Sequence, residues 1–178
     1  MKLYFARHGQ TDANAKMVSG HFIEDLDETL NQTGVEQAKE LAEQLKDVQL
    51  DAIIASPLER AYQTAELVNI YHGLPIIVDV VWRERRAGTY IDLTSWNDLF
   101  DFDKNISVED GESLEEFFER IYAAIDNLKK EYANKTVLVV SHGGVQHAVY
   151  AYANKLPLSG NIRISRLKNC EYRLYVLE

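Results

Sequence analysis

Four short stretches of this 178-residue chain carry side chains that could do chemistry together. They are Arg7-His8-Gly9, Ser56-Pro57-Leu58-Glu59-Arg60, Glu84, and Ser141-His142-Gly143-Gly144. Guanidinium groups bind oxyanions through planar, forked donors. An imidazole can serve as nucleophile, base or donor near neutral pH. A carboxyl group can give or take a proton. Arg60 indicates an anion most directly. Ser56 and Pro57 suit a helix start, and Glu59 completes a capping box, so Arg60 falls in the first helical turn. A cation is electrostatically misplaced there, and a bound anion would remove the conflict.

Those residues need a scaffold that gathers them, and each stretch closely follows an apolar run. Leu3–Ala6, Asp51–Ala55, Ile76–Val81 and Thr136–Val140 read as short buried strands. Thr33 and Glu36 match a capping box, and Val35, Ala38, Leu41, Leu45 and Val48 recur at helical spacing, which predicts a helix over 34–47. The helix after Ser56 stops near Gly73-Leu74-Pro75. Ser113 and Glu116 form another capping box, ahead of a helix faced by Phe117, Ile121, Ala124, Leu128 and Tyr132. Residues 145–153 read as a helix and Glu171–Leu177 as a final edge strand. Residues 15–32 read as a surface loop. Residues 92–112 read as an acidic insertion with Trp96, Phe100 and Phe102, suited to a lid. This alternation predicts an α/β fold, with a mainly parallel central sheet flanked by helices in a three-layer sandwich. In such a sheet all four stretches lie on one rim, where open α/β folds place ligands. Gly9 is expected to permit an unusual backbone turn beside His8.

Length and composition fit one domain, 1–178, including the insertion. A net charge of −9 disfavours nucleic acid and anionic membranes as partners, so a phosphate site must be a local basic pocket. Cys170 is alone, which excludes an intrachain disulfide and a cysteine metal cluster. The first apolar run ends at Arg7, too short for a signal segment, and nothing later approaches a membrane span. A cytoplasmic location is expected by default, and the oligomeric state is open. His21, His72 and His147 read as polar surface, with a helix-face position near the site as the alternative for His147; Arg83, Arg85 and Arg86 read as an exposed basic turn, with substrate contacts as the alternative.

The stretches A-R-H-G-Q-T-D-A-N, A-S-P-L-E-R-A-Y-Q-T-A, E-R-R-A-G and V-V-S-H-G-G, in this order and spacing, resemble the histidine phosphatase superfamily, which has the phosphoglycerate-mutase-like fold. The resemblance covers nearly the whole chain. It implies that His8 is a nucleophile that becomes phosphorylated. It implies that Arg7, Arg60 and His142 bind the phosphate and that Glu84 protonates the leaving oxygen. By the same resemblance Asn14 contacts the transferring oxygens, and the backbone N–H of Gly143 adds a donor. No cofactor and no metal are implied, and the partner is a small phosphoester. The physics agrees: phosphoryl transfer needs an in-line nucleophile ringed by cations. His8 must be bare at the attacking nitrogen, and the Gly9 carbonyl could hold the proton on the other one. The S-H-G-G stretch resembles the phosphatase branch, whereas mutases typically carry A-H-G-N. Thr89-Tyr90-Ile91-Asp92 stands where many relatives have a Glu-Gly pair. Alternative readings are a phosphoglycerate mutase and a non-catalytic phospholigand-binding module. Arg7 and Arg60 would repel a cation, which argues against a histidine–carboxylate metal site.

Overall fold

Strand residues alternate between two faces, and here each face is buried against different helices. The computed structural model describes residues 1–16, 28–86, 100–104, 106, 110–162 and 166–178. β1 (Lys2–Arg7), β2 (Ala52–Ala55), β3 (Ile76–Val78) and β4 (Thr136–Ser141) run parallel, and β5 (Tyr172–Val176) is antiparallel to β1. The order across the sheet is β3-β2-β4-β1-β5. Leu3, Phe5, Ile54, Val137 and Val139 pack on α4 (Leu114–Glu131) and α5 (Gly143–Ala153). Ala6, Ile53, Ala55, Leu138 and Val140 pack on α2 (Gln32–Leu45) and α3 (Glu59–Asn69). The result is helix, sheet, helix, as the strand–helix alternation predicts. Phe5, Phe117 and Phe118 are fully buried, and each such side chain contributes about 1.5–3 kcal/mol of transfer free energy.

Several boundaries differ from the sequence reading. β3 stops at Val78, followed by a 3-10 turn over Val80–Trp82, because β3 is an edge with Ile77 and Val78 exposed. β5 is the opposite edge, as expected. A short helix, α1 (Asp12–Ala15), is absent from the sequence reading and ends at the first residue of the loop expected over 15–32; Thr11 and Asn14 form its capping box. Asn31, not Thr33, caps α2, accepting from the Gly34 N–H at 2.8 Å. Only the Ser113–Glu116 box caps as predicted. Most of the expected lid over 92–112 lies outside the described residues. Within it, Phe100 and Phe102 pack edge-on against Phe117 and Phe118. Among the described residues no helix is long and apolar enough to cross a membrane.

Candidate active site

Strand register assembles the site. Arg7 pairs with Ser141, and Ala55 pairs with Val140 on one side and Val78 on the other. The ladder continues one residue further, with His8 N–H donating to the Ser141 carbonyl at 2.9 Å and Ser56 N–H to that of Val140 at 3.0 Å. His8, Ser56 and His142 therefore leave the same rim side by side. The two imidazole centroids are 5.2 Å apart.

His8 is buried, and its Nδ1 lies 2.7 Å from the Gly9 carbonyl oxygen. A carbonyl only accepts, so Nδ1 carries the proton and Nε2 keeps its lone pair, as the sequence reading expects. Arg60 Nε donates to Nε2 at 3.3 Å. Burial, then the cations of Arg60 and Arg7, push the His8 pKa well below its ordinary value. The ring is thus neutral at physiological pH. Gly9 has no positive φ, so the expected unusual turn is absent. Its lack of a side chain serves a close crossing instead: a Cβ there would sit 2.6 Å from the Gly34 carbonyl oxygen.

Arg7 and Arg60 flank this ring, and both are buried. Arg7 Nη1 donates to the Leu167 carbonyl at 2.9 Å. Burial and the nearby Arg166 lower its pKa to about 10, which leaves it charged near neutrality. Arg60 is the second residue of α3, in the first turn, as predicted. Leu58 occupies the cap and offers no side-chain bond, so the dipole end next to Arg60 stays electropositive. The Arg60 carbonyl accepts from Thr64 Oγ1 at 2.7 Å, and that oxygen accepts from the Gly9 N–H at 3.0 Å. This relay ties α3 to the loop carrying His8.

The expected capping role of Ser56 is corrected. The residue is fully buried two positions before the cap, and its Oγ lies 2.7 Å from His142 Nε2. It also accepts from the Leu58 N–H at 3.3 Å. His142 is itself the N-cap of α5. Burial, then Arg60, His8, Arg7 and Arg83, push its pKa well below the ordinary value.

Glu84 is buried, and backbone hydrogen bonds aim its carboxylate. Oε2 accepts from the Gly144 N–H at 2.8 Å and Oε1 from the Arg85 N–H at 3.0 Å. A side chain at Gly144 would displace Glu84: a Cβ would sit 2.1 Å from Glu84 Oε1 and 3.0 Å from Phe100 Cζ. Behind Glu84, Arg85 is buried rather than part of an exposed basic turn. Its Nε donates to the Glu112 carbonyl at 3.0 Å, and its guanidinium lies over the Phe100 ring. The Glu112 carboxylate takes a fork from Arg120, with both bonds at 2.7 Å. Arg120 Nη1 also donates to the carbonyls of Val81 and Arg83. The backbone bearing Glu84 is clamped from below.

Asn14 reaches the same rim through α1. Its Oδ1 accepts from the Thr11 N–H at 3.3 Å and from Asn169 Nδ2 at 3.1 Å. Asn169 Nδ2 also donates to the His8 carbonyl at 3.0 Å. The Asn14 amide nitrogen has no hydrogen-bond partner among the described residues. Gly143 opens α5 beside Arg7, whose Nε would lie 3.5 Å from a Cβ there. All seven residues singled out for the site thus converge: Arg7, His8, Asn14, Arg60, Glu84, His142 and Gly143.

Sequence reasoning missed Gly144, Asn169 and the Ser56–His142 contact. The paired glycines were the available sign for Gly144; nothing local marks Asn169. His147 is buried against Phe100 rather than on the surface, one helical turn behind Gly144. His72 is partly exposed, and His21 lies outside the described residues. Cys170 is buried and its pKa is pushed up to about 12 by burial, so it stays a thiol. Among the described residues no three of His, Cys, Asp and Glu converge as metal ligands.

The family model of the histidine phosphatase superfamily (branch 1) matches residues 3–178. The chain is 36% identical over 143 residues to the uncharacterized phosphatase PhoE of Bacillus subtilis (strain 168), a match covering 80% of this chain and 72% of that protein. It is 31% identical over 181 residues to the probable phosphoglycerate mutase GpmB of Enterobacter sp. (strain 638), covering 96% and 82%. Mycobacterial glucosyl-3-phosphoglycerate phosphatase, solved in complex with VO3, superposes with a TM-score of 0.84 at 27% identity, covering 97% of this chain and 91% of that one. With both phosphatases and a mutase among its relatives, and a match running from the first strand to the last residue, this chain belongs to the histidine phosphatase superfamily.

Proposed function

We propose that the protein is a metal-independent phosphomonoesterase that hydrolyses a small phosphorylated metabolite through a phosphohistidine on His8. The supporting observation is the His8 ring: its proton is tied to the Gly9 carbonyl at 2.7 Å, which leaves a neutral Nε2 lone pair among guanidinium groups. In the first step that lone pair attacks phosphorus and the ester P–O bond breaks. Glu84, protonated, gives its proton to the departing oxygen. Arg7 and Arg60 hold the equatorial oxygens, joined by His142, the Asn14 amide and the Gly143 N–H. In the second step water attacks phosphorus, its proton returns to the Glu84 carboxylate, the P–N bond breaks and phosphate leaves.

Hydrolysis of p-nitrophenyl phosphate in EDTA is the test. Turnover is expected to persist with chelator and to vanish in His8→Ala. An acid-labile, base-stable phosphoryl adduct is expected during turnover. Activity surviving His8→Ala would overturn the reading. The likeness to GpmB favours a second outcome, return of the phosphoryl group to a product hydroxyl. Free phosphate measured alongside phosphoglycerate interconversion separates the two.

A further inference from the structure

We infer that Ser56 is a positioning residue: its hydroxyl donates to His142 Nε2 and so holds His142 as the Nδ1–H tautomer, a neutral donor to the phosphoryl oxygens. The inference rests on the phosphoryl-transfer reading of the site. It begins from the Ser56 hydroxyl, which has no solvent exposure. Its oxygen already accepts from the Leu58 N–H at 3.3 Å. Its own hydrogen needs an acceptor, because an unmatched buried donor is costly. Among the described residues the acceptor within reach is His142 Nε2, at 2.7 Å. If Nε2 carried a proton it would donate to Ser56 Oγ, and the hydroxyl hydrogen would be left without an acceptor among the described residues.

Neutrality then places the other proton. His142 sits near Arg7, Arg60 and Arg83, so an imidazolium is disfavoured by like charge as well as by burial. One proton remains for the ring, and it resides on Nδ1. That atom is buried and has no hydrogen-bond partner among the described residues. A buried N–H without an acceptor among the described residues, on a ring tilted 58° to that of His8 at 5.2 Å, is matched by a ligand oxygen. The same contact argues against Ser56 as a nucleophile. The sequence shows no base next to it; the fold supplies one, but the hydroxyl is sealed from any substrate.

Nitrogen-15 NMR on histidine-labelled protein tests this. In the wild type, His142 is expected to show a protonated Nδ1 and a bare Nε2 near neutral pH, with the Nδ1–H signal moving on titration with inorganic phosphate. Ser56→Ala is expected to lose the single tautomer and to bind inorganic phosphate roughly ten- to hundred-fold more weakly. Ser56→Thr, which keeps the hydroxyl, restores both. A wild-type His142 protonated at Nε2 would overturn the inference without any variant, whatever Ser56→Ala does to folding. So would an unchanged tautomer and phosphate affinity in a folded Ser56→Ala, or a phosphoserine at position 56 trapped during turnover. Turnover surviving His8→Ala would sink the functional reading instead and leave the tautomer result standing.

Discussion

The two strand ends carrying His8 and His142 are near twins. Both follow adjacent parallel strands in register, both rings are buried, and both are held neutral beside the same arginines. They differ in what faces the ring. His8 has its Nδ1 against a backbone carbonyl, an obligate acceptor, and so keeps a lone pair at Nε2, where it accepts from Arg60 Nε. His142 has its Nε2 against a serine hydroxyl, which can donate, and so leaves Nδ1 as the free position. On the proposed reading, one residue type in one environment is thereby divided into a nucleophile and a donor. The partner atom, not the imidazole, assigns the role.

The sharpest way to break that division is truncation of each ring. His8→Ala removes the proposed attacking atom and is expected to cost on the order of ten-thousand-fold or more in kcat/KM. His142→Ala removes one donor and is expected to cost on the order of a hundred-fold. Equal losses, read by steady-state kinetics on p-nitrophenyl phosphate, would erase the distinction. Gly144→Ala comes next. Its Cβ would collide with Glu84 Oε1, so the acid must move while both rings stay in place. A misplacement of about 1 Å costs roughly a hundred-fold, here in kcat with KM little changed. Unfolding midpoints in urea should hold, since alanine suits a helix better than glycine. A KM effect of the same size would show that Gly144 serves binding instead.

Acidity acts on both rings together. Each histidine has a folded-state pKa well below its unfolded value, so the unfolded chain binds more protons below about pH 6.5. Stability is therefore expected to be full above that pH and to fall as pH drops towards the folded-state values. Urea midpoints between pH 8 and pH 5 measure it, and a His8→Gln, His142→Gln double variant should show a flatter decline. A wild type as stable at pH 5 as at pH 8 would contradict the neutral assignment. The smallest expected effect belongs to Asn169→Ala, which removes one of two donors from the His8 carbonyl and one of two from Asn14 Oδ1. A loss of about 1 kcal/mol in stability and a few-fold fall in kcat is expected.

Much of this was legible because strands and their ends are written locally. An apolar run ending in Arg-His-Gly or Ser-His-Gly-Gly states both the strand and the site residue, and parallel order then brings the ends together. Helix caps were less legible, since Asn31 and Thr33 both suit the role and only the bond to Gly34 decides. Ser56 shows the limit more clearly. Its type and its Pro57 neighbour fit a cap, but a partner 86 positions away claims the hydroxyl. Arg85 was misread for the same reason, since the Glu112 carbonyl and the Phe100 ring that bury it are remote in the chain.

The crossing of Gly9 and Gly34 is reciprocal, for a Cβ at Gly34 would lie 2.1 Å from the Gln10 carbonyl oxygen. Main chain rests on main chain, with no side chain between to trim or enlarge. A substitution at either glycine therefore meets backbone atoms, which cannot step aside as a side chain can. On the proposed reading, the loop that carries the attacking nitrogen is thus seated by backbone, and substrate preference is expected to be set elsewhere.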